Sequence, residues 1–154
     1  MRVSVLAVGR PRQAALADAI RDYEARAARY WTLDVIEVKE ESARSVSPEM
    51  VRDREGERLL NRTPADAQVV ACDPGGESMT SETFAAWMSD LRDRAHNVAF
   101  VIGGAYGLGN SLRARAGKRL SLAPWTLPHE LARLILVEQL YRAGSIGRGE
   151  PYHK

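Results

Sequence analysis

At 154 residues, 45% apolar and 27% charged, the chain has an ordinary globular composition and the length for one domain with a real core. The single Cys72 excludes an intrachain disulfide, three scattered histidines offer no metal cage, and no apolar run approaches a membrane span. The apolar start, Met1 to Val8, is cut by Gly9 and Arg10 before it reaches the length of a signal-peptide core, so a cytoplasmic location is the default expectation.

A net charge of +2 hides an asymmetry. Residues 1–112 carry 14 basic against 17 acidic side chains, whereas residues 113–154 carry 8 against 3. The C-terminal part is therefore suited to steering a polyanion. Of the 22 basic residues 19 are arginine, the better fork for phosphate and the better stacking plane. An Arg-rich solvated surface is the plainer reading of the same numbers.

Apolar β-branched runs alternate with helical patterns along the chain. Arg2–Val8 reads as a strand ended by Gly9 and Pro11. Leu16, Ala19, Ile20, Tyr23, Ala27 and Tyr30 recur at three- and four-residue steps, one stripe of an amphipathic helix. Leu33–Val38 is a second strand, and Ser47-Pro48 supplies the cap and first-turn proline of a charged helix to about Leu60. Gln68–Cys72 is a third strand, stopped by Asp73-Pro74-Gly75-Gly76. Phe84, Trp87, Met88 and Leu91 mark the next helix. The unbroken apolar run Val98–Ile102 is what a central strand covered on both faces needs, and Gly103-Gly104 ends it. A short helix from about Ser111, a last strand at Arg119–Leu122 and a turn at Ala123–Pro128 lead into a helix from His129 to about Ala143. That helix is apolar nearly all round, which calls for burial on more than one side: a homodimer interface, or depth within one core. The alternation predicts one α/β domain with a mostly parallel sheet of about five strands.

Ligands of open parallel sheets bind at the carboxyl ends of the strands. Three loops qualify, Asp73–Ser78, Gly103–Gly109 and Ala123–Pro128, and one ligand can touch all three if their strands are neighbours. The glycine loop Gly103-Gly104-Ala105-Tyr106-Gly107-Leu108-Gly109 has neither the dinucleotide spacing nor the Gly-Lys-Ser/Thr of a P-loop. Its paired glycines permit close backbone approach to a flat ligand, though a tight turn alone would also use them. The tail Arg148-Gly149-Glu150-Pro151-Tyr152-His153-Lys154 mixes cations with rings, a mixture that suits unstacked RNA bases; a frayed terminus is the alternative.

Val101-Ile102-Gly103-Gly104, Gly107-Leu108, Leu120-Ser121-Leu122, Thr126-Leu127-Pro128-His129, Arg133, Glu138-Gln139-Leu140-Tyr141-Arg142-Ala143 and Pro151-Tyr152-His153 together resemble the RlmH family. Val5-Leu6-Ala7-Val8-Gly9 and Glu55-Gly56-Glu57-Arg58-Leu59-Leu60 fit it as well, so the resemblance runs over essentially the whole chain. RlmH enzymes are small SPOUT-class methyltransferases acting on N3 of a pseudouridine in large-subunit (23S) ribosomal RNA.

The resemblance implies one SPOUT domain over residues 1–154, a C-terminal deep trefoil knot and a homodimer joined through the helix from His129. It implies S-adenosylmethionine as cofactor and the 23S rRNA or ribosome as partner, with no metal and no membrane. The three loops become the knot loops. Main-chain groups near Cys72, Gly104, Leu122, Trp125 and Leu127 would bond the cofactor, with Gly103, Ala123, Pro124, Thr126 and Pro128 around it and Pro124 against the purine.

Methyl transfer to an imide nitrogen needs in-line placement and removal of one proton. His129 and His153 are the candidate bases. His129 opens a helix at the positive end of its dipole, which favours an uncharged ring able to accept a proton; orienting the cofactor loop is its other reading. His153 is read rather as an RNA contact. Arg142 joins the catalytic set, and Arg133, Arg142, Tyr152, His153 and Lys154 are the expected RNA contacts, the tail of one subunit completing the site of the other. For Arg142, a helical pair with Glu138 is the structural alternative.

Gly144 departs from the family, which often has a large aromatic residue there; stacking on RNA by this position is put in doubt, and a loosened helix end is expected. Tyr106 varies in the family and is placed to shield the cofactor. The rival readings are a tRNA-directed SPOUT enzyme, for which 154 residues leave no added RNA-binding domain, a non-catalytic ribosome binder, which would not need the glycines and Thr-Leu-Pro-His, and a flavodoxin-type nucleotide binder, which lacks a phosphate motif.

Overall fold

The computed structural model describes residues 1–44 and 46–153, with the backbone only at His153. Five strands, β1 (Arg2–Val8), β2 (Thr32–Val38), β3 (Ala67–Ser78), β4 (Asn97–Val101) and β5 (Lys118–Ser121), form one sheet in the order β2-β1-β4-β3-β5. Every pairing is parallel, so the expected α/β class and strand number are both found. The helices between them are α1 (Ala14–Ala27), α2 (Pro48–Arg62), α3 (Ser81–Asp93), α4 (Asn110–Arg115) and α5 (His129–Gly147).

Residue alternation decides which helix covers which face. Val3, Val5, Val98, Phe100 and Ile102 point to a core shared with α3 and α5, while Leu6, Val8, Ala99 and Val101 point to a second core under α2 and α4. Both faces of β4 are therefore dry, which is why its sequence shows no polar alternation. Ser47 caps α2 as expected, accepting from the Met50 amide with Pro48 behind it; at α3 Thr80, which the sequence reading did not single out, accepts from the Thr83 amide.

Two elements run well past the ends read from the sequence. β3 does not stop at Cys72. Cys72 and Glu77 both register with Leu120, so residues 73–76 are extruded as a bulge and the strand resumes to Ser78. Pro74 and two glycines mark a break in local conformation, and pairing with β5 carries the strand across it. The last helix also continues past Ala143 to Gly147, through Gly144.

Gly144 does not loosen that helix. Tyr30 fills the space: a Cβ built at position 144 would lie 2.3 Å from its Cγ and 2.5 Å from its Cβ. Those are atoms near the Tyr30 backbone and cannot swing away. Gly144→Ala is therefore expected to destabilise the fold by about 1–3 kcal/mol through overpacking, despite the better helix propensity of alanine. A thermal melt with an unchanged or raised Tm would contradict this packing.

As far as Tyr152, the C-terminal segment is held against α5. Its 3-10 turn, Pro151–His153, brings the Tyr152 ring to 4.4 Å from that of Tyr141. The Tyr152 hydroxyl lies 3.2 Å from Glu138 and 3.3 Å from the Tyr23 hydroxyl. Tyr30 donates to Glu150, and the Arg148 guanidinium lies 4.6 Å over the Tyr30 ring.

Candidate active site

Because β4, β3 and β5 are neighbours, the three segments that follow them meet at one end of the sheet. They enclose a cavity of about 540 Å³, within the range of small-molecule sites. Cys72, Asp73 and Pro74 form one wall and Gly103, Gly104, Ala105, Gly107 and Leu108 another, while Tyr106, expected to shield the cofactor, is exposed and off the lining. Leu122, Ala123 and residues 125–128 make the third, and His129 and Ala132 of α5 close the base. The surroundings are apolar, so polar recognition there falls to main-chain groups and to a few side chains.

The glycines set the shape of the second wall. A Cβ on Gly103 would lie 2.6 Å from both the carbonyl carbon and oxygen of Gly107. The turn closes through the Gly107 amide, which donates to the Gly104 carbonyl at 3.1 Å, with Gly107 at a φ of +75°. The first wall is pinned electrostatically. Asp73 accepts from the Gly75 amide at 3.0 Å, from Arg113 at 2.8 Å and from Arg119 at 3.2 Å. Burial works to raise its carboxyl, but these donors outweigh it and hold Asp73 below the usual carboxylate range. Cys72 is partly open to the cavity, yet the dense packing around its thiol pushes it up to about 12, so it stands in the wall as a neutral, unreactive group.

Nine of the ten residues expected around a cofactor line this cavity: Cys72, Gly103, Gly104, Leu122, Ala123, Trp125, Thr126, Leu127 and Pro128. Pro124 is exposed in the same loop and lies off the lining. Trp125 is 77% exposed at the mouth. His129 lines the cavity, half-buried at the first turn of α5.

The other expected site residues lie elsewhere in the chain. Arg142 is thirteen residues along α5 from His129, about 20 Å at the helical rise. It donates to Glu138 at 2.5 Å, and its guanidinium sits 4.8 Å over the Tyr152 ring. Its helical pair is thus formed, together with a stacking contact that sequence reasoning missed. Arg133 is only 5% exposed, with its guanidinium between Glu24 and Glu37, and it presents no free fork to a phosphate. Tyr152 is packed as described above, while the side chain of His153 and all of Lys154 lie outside the described residues. Ile102, Arg113 and Ala132 line the cavity without having been expected. Arg113 carries no local signal, since only the fold turns α4 toward the Asp73 bulge.

A family described as "Predicted SPOUT methyltransferase" matches residues 1–153. The chain belongs to the SPOUT methyltransferase family. Within it, the relatives are consistent. "Ribosomal RNA large subunit methyltransferase H" of Gemmatimonas aurantiaca is 68% identical over 154 residues, covering all of both chains. The proteins of the same name from Geotalea daltonii and Bacillus pumilus are 43% and 40% identical, with 99% and 100% of each chain covered. The resemblance to RlmH read from the motifs is therefore shown for the whole chain. Among solved structures, the SpoU methyltransferase AviRb from Streptomyces viridochromogenes aligns at a TM-score of 0.48 and 18% identity, over 92% of this chain and 57% of that one. Among the described residues of this SPOUT chain, no helix is long and apolar enough to cross a membrane and no cluster of metal-ligating side chains occurs.

Proposed function

We propose that the chain is an S-adenosylmethionine-dependent methyltransferase of 23S ribosomal RNA, a single domain over residues 1–154 that methylates N3 of a pseudouridine in the assembled ribosome. The observation that carries this reading is the cavity at the ends of β3, β4 and β5, whose glycine turn and Thr126-Leu127-Pro128-His129 segment carry the motifs that resemble the RlmH family. Its residues fit the cofactor. Ile102, Leu108, Leu122 and Leu127 offer apolar walls to a purine, and the Gly103–Gly104 main chain is bare enough for polar contact. When bound, S-adenosylmethionine supplies a methyl group on a sulfonium, already a good leaving group.

The remaining work falls to this chain. The walls exclude water and hold the reacting groups in line. An imidazole nitrogen of His129, at the cavity base, accepts the imide proton of the target base. The reading includes a deep trefoil knot in the C-terminal segment, in which β5 pairs with β3 and α5 packs against α1 and α3.

The reading includes a cytoplasmic homodimer. Leu131 is exposed and Leu134 and Ile135 are half-buried on α5, a face open to a second copy. A dimer also reconciles Arg142 with the cavity: it lies far from its own, so one subunit's tail, with Tyr152, His153 and Lys154, would serve the other's site. Arg133 is assigned to holding α5 in place, not to RNA.

The test is methyl transfer from labelled S-adenosylmethionine to ribosomes lacking this methyl group, with nucleoside analysis. Labelled N3-methylpseudouridine in large-subunit RNA is the expected product, and His129→Ala should lower kcat by roughly 10²–10⁴-fold with cofactor binding retained. Cofactor binding without ribosomal label would overturn the assigned substrate, and a monomer by light scattering would overturn the shared site.

A further inference from the structure

Glu55 lies in the apolar stripe of α2, one turn after Val51 and one before Leu59, and is 3% exposed. An apolar side chain would fill that position at lower cost, since a buried carboxyl needs partners. Glu55 has one. Its Oε2 accepts from the Glu41 amide at 3.1 Å, while Oε1 is buried with no hydrogen-bond partner. The unpartnered oxygen faces the cofactor cavity's own wall: a Cβ built on Gly104 would lie 2.6 Å from Oε1 and 3.3 Å from Cδ. The carboxyl thus occupies the space beside the Gly104 main chain, on the side of the turn away from the cavity.

We propose that Glu55 is a positioning residue for the Gly103–Gly107 turn, holding it in the shape that receives the cofactor: its carboxyl fills the space beside the Gly104 main chain, with Oε1 set to donate a hydrogen bond to a main-chain carbonyl of that turn. This rests on the cofactor reading above. Donation requires the neutral carboxyl, and its surroundings favour that form. Burial is the main cause that raises its pKa above the ordinary value, and Glu40 and Glu41, on the segment after β2, raise it further. The Glu41 amide and Arg58, on α2 itself, oppose the shift, and Glu41 is largely engaged by Arg58 at 2.5 Å. From the glycine turn, Gly104 meets Glu55 with main chain alone. The stabilisation of the turn is then present below the usual carboxylate range and is lost as pH rises through the raised folded value.

The experiment compares wild type, Glu55→Gln and Glu55→Ala. S-adenosylmethionine affinity is measured by calorimetry over a pH series that rises from the usual carboxylate range. Amide hydrogen exchange of residues 103–107 is followed without cofactor. Glu55→Gln keeps a neutral donor of the same shape. It is expected to bind within about threefold of the low-pH wild type and to remove the part of the pH dependence that Glu55 supplies. Glu55→Ala is expected to bind at least tenfold more weakly and to exchange faster in the turn. Wild-type affinity and exchange in Glu55→Ala would overturn the inference. Should Glu55→Ala fail to fold, a Glu55→Gln protein with the full wild-type pH profile would overturn it equally. If wild type binds no S-adenosylmethionine, the cofactor reading fails by itself, and the exchange measurement still decides whether Glu55 holds the turn.

Discussion

Gly103→Ala is expected to weaken S-adenosylmethionine binding by at least tenfold while leaving the protein folded. The added methyl would sit 2.6 Å from the carbonyl carbon and oxygen of Gly107, and both are main-chain atoms of a turn closed by the Gly107 amide. Relief requires the turn to open into the cavity or α4 to shift. Overpacking of this kind costs about 1–3 kcal/mol, and a cost paid only in the cofactor-receiving shape converts at about tenfold per 1.4 kcal/mol. Gly107→Ala is the control. A Cβ there meets nothing within 4 Å, so its penalty is the left-handed φ alone, about 1–2 kcal/mol. Calorimetric titration of both variants decides the matter. Equal or stronger binding by Gly103→Ala would remove the turn from the cofactor site.

The second large effect is on stability. Arg133→Met is expected to destabilise the fold by about 3 kcal/mol, because it leaves two carboxylates in a crowded interface without their cation. Arg133 bonds Glu24 of α1 at 2.8–2.9 Å and Glu37 of β2 at 2.9 Å, so one guanidinium ties α5 to the layer and the sheet beneath it. Arg10 reaches Glu37 only at 3.5 Å from an exposed position and is a weak substitute. For a chain of this size the loss corresponds to a Tm lower by roughly 6–12 °C. Adding Glu24→Gln and Glu37→Gln should recover more than half of it. An unchanged Tm with weakened ribosome binding would instead restore Arg133 to the RNA-contact role that its sequence position suggested.

Arg133 shows how motif reasoning and geometry divide. An arginine in a basic C-terminal part, inside a family motif, reads as a phosphate contact. Its partners, Glu24 and Glu37, stand 109 and 96 residues away in the chain, and nothing local announces them. Arg142 is the opposite case: Glu138 is one helical turn back, so the sequence spacing alone makes the pair legible. Gly144 and Tyr30 make the same point in packing. A glycine in place of an aromatic residue looks like a weakened helix end until the ring from α1's exit is seen filling the gap.

Legible in the order of residues are the alternation of strands and helices, the central place of β4, the caps of α2 and the glycine and proline loops that became cavity walls. These are written in nearest-neighbour chemistry: side-chain period, φ restrictions and local hydrogen-bond competition act within a few residues. It took the assembled sheet to run β3 on through its bulge and to gather Arg113 and Arg119 around Asp73. The same assembly placed Glu55 against Gly104 and brought Tyr152 back against Tyr23 and Tyr141. Those outcomes depend on strand order, which joins segments far apart in the chain. A long-range contact also offsets its loop-closure entropy only once the rest of the sheet has formed, so no short window of sequence carries it.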